Sequence, residues 1–341
     1  MAGVLPLLDP DMNLLYGVLL QTALVVLHVA AASANGVDKF TLVDDGDRQL
    51  LSIAFSPSGQ FMAVSSANHS IKIWDLNSLQ RIKSIEDETI LATCMAFSVD
   101  GQTLCLGTRD GTIAVLDVPN AKLILKQNFS DLTWHSIYPR PNGRWFAAGT
   151  TGKSVFLWDS ERVKERKEFV GHEFDIQDVG FSPDGQSMVS GDFSRFIRVW
   201  EWNSDLCKAS AAPVAGAISK MAVSPRDDLV LMGDYSCDLS ICTLPKLRST
   251  RLSSYGDEVE SISHLAISSD GKYAAVGITD IGEIELWDLQ GRKIAAVLSS
   301  RDLTELRAIA FTANGQSLAT VTVAGVKLWK IQEIIPSEGN R

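Results

Sequence analysis

The chain has 341 residues, 45% of them hydrophobic and 21% charged. That balance suits an ordered core in water and excludes a disordered, collagen-like or multi-pass membrane protein. Lys+Arg 31 against Asp+Glu 41 leaves a net charge of -10, the wrong sign for gripping a phosphate backbone, so no nucleic-acid partner is expected. Five cysteines with no CxxC pair match neither a disulfide scaffold nor a zinc site, and no metal or cofactor is expected.

From the N-terminus, residues 14–34 contain no Asp, Glu, Lys or Arg, a stretch just long enough to cross hydrocarbon. It ends in Ala32-Ser33-Ala34, the small-residue spacing of a signal-peptidase site, but is preceded by Asp9 and Asp11 rather than by basic residues. Retained as an anchor, it would be followed by Lys39 and Arg48, which would hold the rest of the chain in the cytosol. Residues 1–36 therefore read as a signal peptide or membrane anchor, with an apolar extension packed on the remainder as the alternative. The expected location is membrane-associated, secretory or periplasmic, with cytoplasmic as the alternative. Cys94, Cys105 and Cys242 on predicted strands favour a reducing compartment.

Beyond this segment one turn signature recurs. It reads SPSG from Ser56, SVDG from Ser98, RPNG from Arg140, SPDG from Ser182, SPRD from Ser224, SSDG from Ser268 and TANG from Thr312, in steps of 42, 42, 42, 42, 44 and 44 residues. Unrelated loops have no reason to keep such a period. Proline presets the first corner, Asp or Asn bonds back to the backbone, and Gly accepts the positive φ, so these are hairpin turns. Short apolar runs flank each turn (51–55 and 61–64, or 93–97 and 103–107), and a third alternating run ends in Trp-Asp or a relic of it: Trp74-Asp75, Leu116-Asp117, Trp158-Asp159, Trp200-Glu201, Cys242-Thr243, Trp287-Asp288 and Trp329-Lys330. β-Branched residues and frequent breakers indicate strands. A lone four-stranded sheet cannot bury both faces, so seven stacked sheets closed into a ring are predicted: an all-β, seven-bladed β-propeller of four-stranded antiparallel blades.

At these residues the chain resembles the WD-repeat family over 37–331, leaving 332–341 as a tail. The resemblance implies that an N-terminal strand completes the last blade, which would pair 39–43 with 326–329. It also implies a hydrogen-bonded set of turn Asp, Gly-His, Ser or Thr, and Trp. Blade 4 keeps Gly171-His172, Ser190 and Trp200 but has Ser194 where the turn Asp is expected; blade 2 has Asp110 but lacks the His and the Trp. On this reading no blade holds the complete set, and packing between blades carries the stability.

Several motifs yield to the repeat. Residues 147–154, AAGTTGKS, fit a relaxed phosphate loop, yet a strand follows where phosphate binding needs a helix N-terminus. The five histidines show no ligand spacing, and His172 takes the family's structural role. The run 161–169, ERVKERKEF, interleaves both signs of charge and suits a solvated outer strand. Neither an FRRG motif nor a Trp-Asp-x-Arg box is present.

What remains is the loop face where propellers of the resembled family bind partners. Arg109, Trp134, Lys153, Phe174, Asp192, Phe193, Arg195, Phe196 and Tyr235 fall in its turns and linkers, and the aromatics offer anchoring area. Asp87, Glu88, Asp175, Asp257, Glu258, Asp302 and Glu305 make the rest of the rim acidic. The expectation is a non-catalytic scaffold that binds a protein or peptide through this face, as a single propeller or within a complex, with membrane contact only through 1–36. The alternative is an enzyme or small-ligand propeller with its site in the central channel.

Overall fold

A computed structural model describes residues 50–335, apart from positions 79, 130–131, 142, 163, 205, 257–258, 260 and 324. The expected segment 1–36, the closing strand 39–43 and the end of the tail lie outside the described residues. The chain folds into seven antiparallel meanders, each running inner strand to outer strand in sequence order. Six are four-stranded and the seventh shows three strands among the described residues. Inner strands open the blades at Leu50–Phe55, Ala92–Phe97, Trp134–Pro139, Ile176–Phe181, Ile218–Val223, His264–Ile267 and Ala308–Phe311. Each packs on the next, and the last packs back on the first, so the ring closes.

Burial follows from that stacking. Second strands such as Phe61–Ser66 and third strands such as Thr112–Asp117 are buried on both faces, because a neighbouring blade covers each one. Their sequences are accordingly near-continuous apolar runs. The outer strand Lys122–Asn128, KLILKQN, instead alternates exposed and half-buried residues, as one solvated face requires. The apolar clusters span blade boundaries rather than blades: Cys105, Ile113 and Val115 of blade 2 join Trp134, Phe146, Phe156 and Trp158 of blade 3. The closing boundary is built alike, with Leu50, Ile53, Met62 and Trp74 against Ala319, Val321 and Val326.

The recurrent turn ring sits on one face. In blade 1 the Ser56 hydroxyl accepts the Phe61 amide at 2.9 Å. In blades 2, 4 and 6 the hydroxyls of Ser98, Ser182 and Ser268 accept the amide five residues on and donate to Asp100, Asp184 and Asp270. Blade 3 has Arg140 in place of the serine. Its Nε donates to the Gly185 carbonyl of the blade 4 turn at 2.8 Å, and its guanidinium lies 3.7 Å over the Trp202 ring, clamping the two blades together. On the opposite face the inner strands begin with a bulge in blades 1 to 5, where the register shifts beside Leu51, Thr93, His135, Gln177 and Ser219. A bulge re-aims its extra residue, here at the mouth of the channel.

The closing boundary is as tightly filled as any other, so Met62→Ala, which empties a fully buried position there, is expected to cost about 2–5 kcal/mol. Urea unfolding of the variant checks this; an unchanged midpoint would mean that blades 7 and 1 do not bear on each other.

Candidate interaction face

The face opposite the turn ring is built from the linkers entering each inner strand and from the turns joining second and third strands. In blade 4 this layer rests on a buried network. His172, from the linker, places Nδ1 2.7 Å from Asp192 Oδ2 and Nε2 2.6 Å from Ser190 Oγ, and Trp200 Nε1 donates to Ser190 Oγ at 2.8 Å. One pattern satisfies every group: the indole donates to the serine, the serine to Nε2, and Nδ1 to the carboxylate. The complete set is therefore present in blade 4, against expectation. The aspartate is Asp192, at the end of the second strand, not at 194.

Comparison with blade 2 explains the displacement. There Thr108 ends the strand and donates to Asp110 in the turn; in blade 4 the pair is exchanged, and Ser194 Oγ donates to Asp192 Oδ1 at 2.6 Å. The exchange gives one carboxylate two tasks. Asp192 Oδ1 also takes the amides of Ser194 and Phe196 at 2.9 and 3.2 Å, fixing the turn, while Oδ2 holds the histidine. Burial alone would raise the Asp192 pKa, but the bonds from His172 and Ser194 hold it below the ordinary carboxylate value. Asp234 pins the blade 5 turn through the same oxygen and uses the other on the Gly216 amide at 3.0 Å. Blade 6 has its own version: Tyr255, from the linker, and the Trp287 indole both donate to Glu285 Oε2, at 2.5 and 2.7 Å.

Asp192, Ser190 and His172 share the residue types of a hydrolytic triad, but Ser190 is wholly buried and its oxygen already accepts the Trp200 indole. Nucleophilic attack needs a hydroxyl that a substrate can reach. The arrangement braces a turn.

Two residues expected at the surface are inside. Asp192 is 1% exposed, in the network just described. Trp134 is also 1% exposed, packed edge-on against Phe129, Phe156 and Trp158. It stands at the first inner-strand position, 42 residues from both Ala92 and Ile176, which are buried too. The period itself marks it as core.

The other expected residues lie together on the surface over blades 2 to 5. Phe174, Phe193, Phe196 and Tyr235 are 40–48% exposed. Phe193 and Tyr235 meet edge to face with ring centroids 5.3 Å apart, bridging the turns of blades 4 and 5. Those turns are tied down: the Phe193 amide donates to the Asp175 carbonyl and the Tyr235 amide to the Ala217 carbonyl. Arg109, Lys153 and Arg195 are exposed beside them. Lys153 and Arg195 hold φ of 61° and 85°, where blade 2 has Gly111 at 84°. A left-handed conformation costs a side-chain-bearing residue about 1 kcal/mol or more. Asp110, exposed in blade 2, accepts from Thr108 and from the Thr112 amide.

Blades 6 and 7 differ. Two short 3-10 turns, Thr279–Ile281 and Arg301–Glu305, lie against each other there, and the Ser300 amide donates to the Gly282 carbonyl. The 44-residue step from Ser268 to Thr312 holds both. At the channel, Asp178 accepts the amides of Met221 and Val179, while Ser219 and Ser263 donate to the carbonyls of Ile262 and Gly277. These inner-strand groups are thus committed to the backbone, whereas His135 Nε2 and Ser136 Oγ are buried without a hydrogen-bond partner. Among the described residues there is no cluster of metal-ligand type, and no helix is long and apolar enough to cross a membrane.

Comparison with known proteins agrees with this architecture. The model of the WD domain, G-beta repeat, matches residues 39–75 and 163–201, and that of the anaphase-promoting complex subunit 4 WD40 domain matches 77–136. The chain belongs to the WD-repeat family of seven-bladed β-propellers. It is 28% identical to apoptotic protease-activating factor 1 of Danio rerio over 81% of this chain and 22% of that protein. It is 22% identical to the periodic tryptophan protein 2 homolog of Dictyostelium discoideum over 70% of this chain and 26% of that one. With the small ribosomal subunit protein RACK1 of Neurospora crassa it shares 26% identity over 48% of this chain and 54% of that one. The chain spans only about a quarter of the length of the first two relatives.

Two predictions follow from the buried groups. Ser190→Ala leaves the Trp200 indole and the His172 ring short of a partner, and is expected to cost about 1–3 kcal/mol, read as a lower melting temperature. Acid should also weaken the fold. Burial holds the pKa of His172 below the usual imidazole value, although its bond to Asp192 pulls it back. Burial, helped by Lys220, takes His264 down to about 4. Unfolded histidine titrates near 6.5, so between that value and the folded pKa the unfolded chain carries the extra proton. This contribution is complete above about pH 6.5 and shrinks as pH falls, at roughly 1.4 kcal/mol per pH unit for His264. Urea midpoints should drop from pH 7.5 to 5.5, and His264→Gln should flatten the drop.

Proposed function

We propose that this propeller is a non-catalytic scaffold that binds a protein or peptide on the aromatic sector of its loop face. One observation carries the reading: Phe193, Phe196 and Tyr235 stand exposed on turns pinned by two buried carboxylates, with Phe174 exposed on the adjoining linker and Phe193 in contact with Tyr235 across a blade boundary. Aromatics supply large contact area at low ordering cost, and a rigid platform keeps that cost low on binding. A water-facing turn needs none of them.

The channel reading has less behind it. Ser136, Asp178, Lys220 and His264 come from successive inner strands, but Asp178 is held by the backbone amides of Met221 and Val179, and among the described residues no cluster of metal-ligand type is present. Partner capture by the full chain, followed by titration of the captured protein, tests the proposal. Phe193→Ala/Tyr235→Ala should weaken binding at least tenfold and leave the melting temperature within about 2 °C, as surface changes do. Undiminished affinity in that variant would remove the sector from the function.

A further inference from the structure

The charge on this face is divided. Arg109, Lys153 and Arg195 project from the turns of blades 2, 3 and 4, and no ion pair engages any of them among the described residues. Lys220, on the inner strand of blade 5, adds a further cation toward the channel. Burial lowers the pKa of both histidines near the channel; at His135 Asp175 opposes it while Lys220 and Arg109 add to it, and at His264 Lys220 and Arg307 add to it. Opposing charge in the sector comes from Glu173 and Asp175, with Asp110 bonded within its own turn. Asp87 and Glu88 enter blade 2 itself, where Asp87 is paired to Lys126; the far side is acidic at the entry to blade 7, with Asp302, paired to Lys327, and Glu305.

In a chain of net charge -10, three successive turns that each present a cation are the exception. The placement of these cations also works against local stability: Lys153 and Arg195 occupy left-handed positions that glycine fills without strain in blade 2. Cys237, at the same position in blade 5, is buried, and its thiol reaches the Val259 carbonyl, whereas Lys153 and Arg195 point into water. Aromatic anchors with unpaired cations beside them complement a segment that carries both apolar groups and negative charge.

We propose that the segment bound by this sector is an acidic peptide, its carboxylates lying along Arg109, Lys153 and Arg195 while an apolar side chain seats against Phe193 and Tyr235. This deepens the scaffold reading and rests on it. A nucleic acid is disfavoured by the chain's overall charge and by the acidic far side.

Panning a random dodecapeptide library on the immobilised full chain tests it, with binding of an enriched peptide then measured by fluorescence polarisation. Enriched sequences should carry an excess of Asp and Glu together with an aromatic or aliphatic residue, and affinity should fall as salt is raised from about 0.05 to about 0.3 M, which passes through a Debye length of roughly 8–10 Å. Lys153→Gly/Arg195→Gly should weaken binding about tenfold or more while the melting temperature holds or rises by about 2 °C, which separates lost contact from lost fold. Phe193→Ala/Tyr235→Ala should weaken it as well. Enrichment without an acidic excess, or an unchanged Kd in the glycine variant, overturns the proposal; if the aromatic variant still loses binding, the scaffold reading stands without it. No enrichment at all, or binding of phosphatidylserine vesicles or polyuridylate in place of peptides, overturns it too.

Discussion

Everything in this molecule depends on a sheet with two apolar faces. A meander whose second and third strands read FMAVSS and SIKIWD cannot rest in water on either side, so each blade is a subunit of a stack rather than a domain. Burying apolar surface contributes roughly 25 cal/mol per Å², and here it is gained mainly between blades, since each cluster joins residues of adjacent blades. A stack with free ends would leave two faces bare. Packing the last inner strand on the first removes them.

The polar interior works inside that frame. Hydrogen bonds in the network of blade 4 add modestly to stability, but leaving one of its buried groups unpaired costs more than the bond itself contributes. The network consequently fixes geometry: the carboxylate of Asp192 determines where Phe193, Arg195 and Phe196 stand. Blade 5 repeats the device with Asp234 beneath Tyr235. Core and contact surface are joined through single carboxylates, so the aromatic spacing is set from below.

Much of this was readable in the amino-acid order. The period locates the turns because a tight hairpin demands a hydroxyl, a carboxylate or amide, and a glycine at fixed offsets, and those demands leave letters behind. Phe174, Phe193, Phe196 and Tyr235 fall in turns by the same count and are exposed. Two readings missed for different reasons. Asp192 reads as a surface contact rather than a network member because hydroxyl and carboxylate trade places between blades 2 and 4, and a motif counted by position does not see an exchange that preserves the bond. Trp134 looked like an anchor because of its residue type, although its alignment with Ala92 and Ile176 placed it in the core. The meeting of Lys220, His264 and Arg307 near the channel was not legible, since it depends on how strands of three blades converge.

The paired 3-10 turns over blades 6 and 7 break the rotational equivalence that seven copies of one unit would otherwise confer. A perfectly regular ring would offer seven identical berths and saturate at seven guests. Here the aromatic side chains cluster on blades 4 and 5 alone, and the opposite shoulder carries a different backbone. Repetition of one unit has thus yielded an object with a single heading.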